Sequence, residues 1–160
     1  MVFIVAQTAC GVYSFTGASI PPGVKTISIG FIPNQSSLVI GPLSQQFTQA
    51  LRDKFQSGTN LTLTTSDGDM DLQGAVTSTT VTPDAPTGGS TSTASLNRLT
   101  ITVNMTFTDN KNTKQNWTQS FSYYADFDAS KNLSDVQNTL IGQIKTQIVQ
   151  DIFNKAVVNW

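Results

Sequence analysis

Between Asn97 and Phe127 apolar and polar residues alternate almost without a break. Leu99, Ile101, Val103, Met105 and Phe107 are interleaved with Thr100, Thr102, Asn104, Thr106 and Thr108. After a polar turn, Trp117, Phe121, Tyr123 and Ala125 are interleaved with Thr118, Ser120, Ser122 and Tyr124. Side chains on a strand alternate between faces, so this period predicts a long hairpin with one apolar and one polar face. The apolar face must be covered, and only two segments can do it. Leu43, Phe47, Leu51 and Phe55 recur every four residues, with Arg52 and Lys54 towards the end that Gly58 would cap. Val136, Leu140, Ile144, Ile148, Ile152 and Ala156 repeat the spacing over about six turns. Ser134 and Gln137 ahead of them are spaced as a capping box.

Shorter strands are predicted over 24–32, with Ile27, Ile29 and Phe31 on one face, over 61–65, and over 72–83, with Leu72, Gly74, Val76 and Ser78 on one side. Gly74 marks a bulge or a close backbone approach. Asp67-Gly68 reads as a turn: a calcium loop counted from Asp67 needs Gly at its sixth position and Glu at its twelfth, where Leu72 and Ser78 stand. The low-complexity stretch 84–95 reads as the tip of a hairpin extending beyond the helix-covered core. The expected fold is α+β: a two-layer sandwich in which a mixed four- to five-stranded sheet carries two helices on one face, in the order strand, helix, strands, helix. Residues 24–160 form one domain, with Trp160 packed back on the sheet edge.

Composition sharpens this picture. Charged residues make up only 12% of the 160-residue chain, against about 25% in an ordinary soluble domain. Glutamate and histidine are absent and the formal net charge is −1. Without a basic stripe the chain does not read as a nucleic-acid binder. Its polar surface is Thr, Ser, Asn and Gln. Two readings fit: an extracytoplasmic protein with Thr-rich strands, or a surface that docks inside another protein, where unpaired charge is costly.

Cys10 is the lone cysteine. The run MVFIVAQTA before Cys10-Gly11 is the pattern of a lipoprotein signal peptide, so residues 1–9 read as its remnant and 10–23 as a lipidated tether. The alternative makes Cys10 a small buried hydrophobe in a first strand.

Catalytic chemistry finds little footing. The absence of histidine removes Ser-His-Asp, Cys-His and His-based metal sites. Asp126 and Asp128 could form a carboxylate pair, but their position before a helix fits turn and capping chemistry. The chain reads as a non-enzyme that needs no cofactor and no metal. Tyr124, on the polar face, is the aromatic residue expected to touch a partner.

Five segments carry a resemblance: Cys10-Gly11-Val12-Tyr13-Ser14-Phe15, the tract from Ser19 to Thr26 with Pro21-Pro22-Gly23, Leu96-Asn97-Arg98-Leu99-Thr100-Ile101, the run from Gln119 to Phe127, and the ending from Asp151 to Trp160. Together they resemble the LptE family, in the branch typical of Bacteroidetes. The resemblance implies an outer-membrane lipoprotein on the periplasmic side, anchored through lipid on Cys10. It implies that the chain plugs the LptD β-barrel, assists its assembly and binds lipopolysaccharide during transport to the outer leaflet. A cation at a sheet end would suit an anionic lipid head, and Arg98, Lys111 and Lys114 are the hairpin's candidates. The competing expectation is a periplasmic or surface lipoprotein that binds a glycan or another protein.

Overall fold

The computed structural model describes residues 20–84 and 95–158. Its strands are β1 (Thr26–Ile29), β2 (Thr62–Thr64), β3 (Met70–Asp84), β4 (Leu96–Asp109) and β5 (Trp117–Asp128); its helices are α1 (Leu43–Gly58) and α2 (Leu133–Val157). The strands form one five-stranded sheet in the order β2-β1-β3-β4-β5. β1 runs parallel to both β2 and β3, and β3, β4 and β5 are successively antiparallel. The sheet is therefore mixed. α2 lies over β5 and β4, α1 over β1 and β2, and the helices pack on each other.

Alternation and four-residue spacing place the core. Leu99, Ile101, Val103, Met105 and Phe107 of β4 are all buried, facing Leu43, Phe47, Leu51 and Phe55 of α1 and the stripe of α2. Each large side chain removed from water contributes roughly 1.5–3 kcal/mol. The Phe55 and Phe153 rings meet edge to face at 5.1 Å, joining the helices.

Several local expectations are corrected by packing. β1 ends at Ile29, not Ile32. The chain then leaves the sheet, so Phe31 is exposed and Ile32 is buried, with its N–H on Thr48 Oγ1 at 3.0 Å. In β3 the register shifts between Val76 and Ser78, leaving Thr77 extra. One extra residue exchanges the faces, so Thr79 rather than Ser78 points inward. The bulge is thus not at Gly74, which serves the other expected role: a Cβ there would stand 2.4 Å from the Asn104 carbonyl oxygen.

Gly58 is the last residue of α1 and not its cap; Thr59 follows in extended conformation and donates its N–H to Phe55 O. A Cβ on Gly58 would come within 2.7 Å of the Phe153 ring. Arg52 reaches across to Ile29 O at 2.9 Å, and Lys54 lies 4.9 Å from the Phe153 ring centroid, so neither serves the last turn of α1. α2 is preceded by Asn132 as N-cap, and Ser134 bonds Asp135 at 3.3 Å, so no capping box forms.

Residues 65–69 cross the back of β1 and bury Ser28, since Gly68 N–H donates to Ser28 Oγ at 3.4 Å. Only a residue without Cβ passes so close, because a Cβ on Gly68 would lie 2.6 Å from Ser28 N. The lipid site at Cys10, residues 10–19 of the expected tether, the hairpin tip over 85–94 and Trp160 lie outside the described residues.

Candidate functional site

The helices cover one face of the sheet and leave the other open. Along the middle of that open face β4 presents Thr100, Thr102, Asn104, Thr106 and Thr108, and β5 presents Thr118, Ser120 and Ser122. Hydroxyls bridge the strands, Thr102 to Ser122 at 3.0 Å and Thr106 to Thr118 at 3.1 Å. β4 and β5 carry their outward charges only at the ends of this expanse.

At one end Arg98 of β4 is clamped. Its Nε and Nη2 donate to the two carboxylate oxygens of Asp126 at 2.7 and 2.9 Å, and Nη2 also donates to Asp84 at 2.8 Å. The guanidinium stands 3.9 Å from the Tyr124 ring centroid. Hydrogen bonding from Arg98 holds the Asp126 carboxyl below its usual range, against the opposing effect of burial. Asp128 is lowered too, by the hydroxyl and N–H of Ser130. Ser130 N–H sits 2.8 Å from Asp128 Oδ1, so this carboxylate closes a turn while its neighbour forms an ion pair. Neither is raised as a general acid would be.

At the other end the β4–β5 turn is built on Asp109, which is 0% exposed. Its Oδ1 accepts the N–H of Lys111 at 2.7 Å and of Asn112 at 2.8 Å. Lys111 Nζ pairs with Asp69 at 3.2 Å. The Lys25 N–H first, and Lys111 second, pull the Asp69 carboxyl down to about 2. Lys114 forms no ion pair among the described residues. It lines a cavity of about 170 Å³ with Lys155 of α2, over Phe107 and Trp117. Those two rings stack at 5.6 Å.

The structure therefore divides the three candidate cations. Eleven residues of extended strand, roughly 36 Å at 3.3 Å each, separate Arg98 from the turn, so they cannot grip one lipid head together. Sequence reasoning missed Lys155, which shares a cavity with Lys114 only because the end of α2 packs beside the turn.

Beside the clamp, a groove of about 730 Å³ opens between β5 and α2. Tyr123 and Tyr124 form one wall, stacked at 5.8 Å and 41% and 47% exposed. Alternation had put Tyr123 inward. At this edge strand no helical side chain covers it, because α2 carries Gly142 there. Thr139, Gln143, Thr146 and Gln147 complete the helix wall. Their i, i+4, i+7, i+8 spacing was the available signal, hidden because it is polar.

Among the described residues no cluster of three metal-ligating side chains occurs, and no helix is long and apolar enough to cross a membrane. The family model for LptE, lipopolysaccharide assembly, matches residues 24–156. No curated protein matches the chain. Solved structures of similar fold include the following three. A hypothetical protein of Chlamydia trachomatis has TM-score 0.56 at 7% identity, covering 83% of this chain and 98% of its own. An uncharacterised lipoprotein B of Nitrosomonas europaea has TM-score 0.51 at 11% identity, covering 96% and 88% respectively. A protein of Xanthomonas campestris has TM-score 0.51 at 10% identity, covering 85% and 87%. At such identities the likeness shows a shared fold alone.

Proposed function

The chain belongs to the LptE family of lipopolysaccharide-assembly proteins, and from that premise we propose that it plugs an outer-membrane β-barrel of the LptD kind. The observation that carries this reading is the open sheet face. It is a broad expanse of Thr, Ser and Asn whose hydroxyls are bridged within the sheet. Such a face can be buried against barrel walls without stranding a charge. The two helices stay on the opposite side of the sheet.

In this reading the chain is held on the periplasmic side of the outer membrane by lipid on Cys10. It acts by occupying and supporting the barrel, without catalysis. Of the candidate cations, Lys114 is the one left to meet an anionic head, with Lys155 beside it and an aromatic floor between them. Arg98 and Lys111 are already paired with carboxylates. Tyr124, at the clamped end of the same face, is the expected barrel contact.

The test is an affinity pull-down from outer membranes with a C-terminal tag, combined with a photo-crosslinker placed at Thr102 or Ser120. Stoichiometric recovery of a large LptD-like barrel, crosslinked through those positions, is expected. Recovery of abundant porins alone, or of no barrel, overturns the reading.

A further inference from the structure

The groove between β5 and α2 shares only Tyr124 with the barrel contact just described. Its volume, about 730 Å³, falls in the roughly 300–1,000 Å³ range of small-molecule sites. Its two walls differ in chemistry. The β5 wall is a pair of stacked tyrosine rings, with the Arg98 guanidinium 3.9 Å from the Tyr124 centroid and anchored in turn by Asp84 and Asp126. This fixes an aromatic platform before any ligand arrives. The α2 wall is uncharged and hydrogen-bonding. Thr146 donates to Gly142 O at 2.8 Å and so keeps its oxygen lone pairs for a donor from outside. Gln147 donates its amide N–H to Asp151 at 3.0 Å and keeps its carbonyl. Thr139, Gln143 and both tyrosine hydroxyls have no partner among the described residues.

Gly142 is the second observation. Glycine inside a helix is destabilising relative to alanine, so it needs a reason. No positive φ requires it, and a Cβ there would meet nothing within 4 Å. Gly58 is the contrast, since a Cβ there would strike Phe153. The fold needs Gly58, whereas what Gly142 supplies is depth in the groove.

A ligand that fits must bring a flat C–H face for the tyrosines and a set of hydroxyls for the amides and threonines. An anion would find no unpaired cation on these walls, and a purely apolar ligand would strand the helix's polar groups. We infer that the groove between β5 and α2 is a binding site for an uncharged saccharide ring, with Tyr123 as its stacking platform and Gln143, Thr146 and Gln147 as its hydroxyl partners. The sugar could come from the oligosaccharide of a lipopolysaccharide or from a free glycan, and the chemistry of the walls is the same for both.

The test is an NMR titration of the full chain with two probes: the delipidated oligosaccharide of a bacterial lipopolysaccharide, and maltoheptaose. Saturable shifts at Tyr123, Gly142 and Gln143 are expected with at least one of them. Response to the first alone assigns the site to lipopolysaccharide sugar, and response to maltoheptaose as well assigns it to glycans in general. Tyr123→Ser and Gly142→Phe should each weaken binding by about tenfold or more, or 1.4 kcal/mol. Gly142→Phe should melt no lower than the parent, because its side chain enters open space. Silence at the groove with both probes at millimolar concentration overturns the inference. So does unaltered binding in both groove variants. The titration uses the chain without a barrel, so its failure would leave the pull-down result untouched, and the reverse holds too.

Discussion

The two ends of the β4–β5 hairpin both carry cations, Arg98 at one and Lys111 with Lys114 at the other, and surround them differently. At the Arg98 end β3 and β5 each bring a carboxylate to the guanidinium, so one positive charge faces two negative ones. At the turn end Lys111 is taken by Asp69, while Lys114 and Lys155 face a shared cavity with no carboxylate among its lining residues. A cation's availability is a property of what the neighbouring elements place beside it. Arg98 therefore organises the sheet end beside Tyr124, whereas the turn end keeps Lys114 and Lys155 beside one cavity.

The largest effect expected from breaking this contrast lies in the turn itself. Asp109→Ala removes a buried acceptor of two backbone N–H groups and should lower stability by about 2 kcal/mol, read as a shift of the urea midpoint. Asp109→Asn, which keeps the acceptor, should lose much less. A parent-like midpoint for the alanine variant would show that the turn is held by other contacts.

Next comes the division of the cations. Lys114→Gln combined with Lys155→Gln should weaken lipopolysaccharide binding on the order of tenfold, and added salt should erase the difference between variant and parent. Arg98→Gln should leave that binding within about twofold and lower the melting temperature only slightly, as partly exposed ion pairs contribute little. The reverse pattern in a binding and melting series would invert the assignment of the two ends.

The smallest effect is on acid stability. Asp69 has a folded pKa of about 2, below its ordinary value. Its contribution is therefore complete above the ordinary carboxylate range and is lost as pH falls towards 2. Asp69→Asn should flatten that part of the stability-versus-pH curve and leave the curve at neutral pH parallel to the parent's. An unchanged acid limb would show that Lys25 and Lys111 do not hold the carboxylate.

Much of the fold was legible because its signals are local. The alternation from Leu99 to Phe107 placed five residues inward, and all five are buried. The spacing from Leu140 to Ala156 did the same for α2. The errors came where another element intervened. Phe31 continued an alternation that the sheet had already abandoned, and Ser78 lost its face to the extra residue at Thr77. Gly58 resembled a cap because its partner, Phe153, lies on the other helix. Tyr123 alternated inward in sequence, but inward at an edge strand means buried only if a side chain waits there, and α2 offers Gly142.

By itself, then, the chain determined its elements, its α+β layering and the segments that carry the LptE resemblance. Hydrophobic period and motif are read over a few neighbouring residues, where the chain's own geometry sets the answer. The tertiary structure alone decided which charges are spent, where the groove opens and why Gly58 is a glycine. Hydrogen bonds and ion pairs act over about 3 Å, and the partners that settle Arg98 come from 14 and 28 residues away. No local pattern announces an encounter between groups that only the folded sheet brings together.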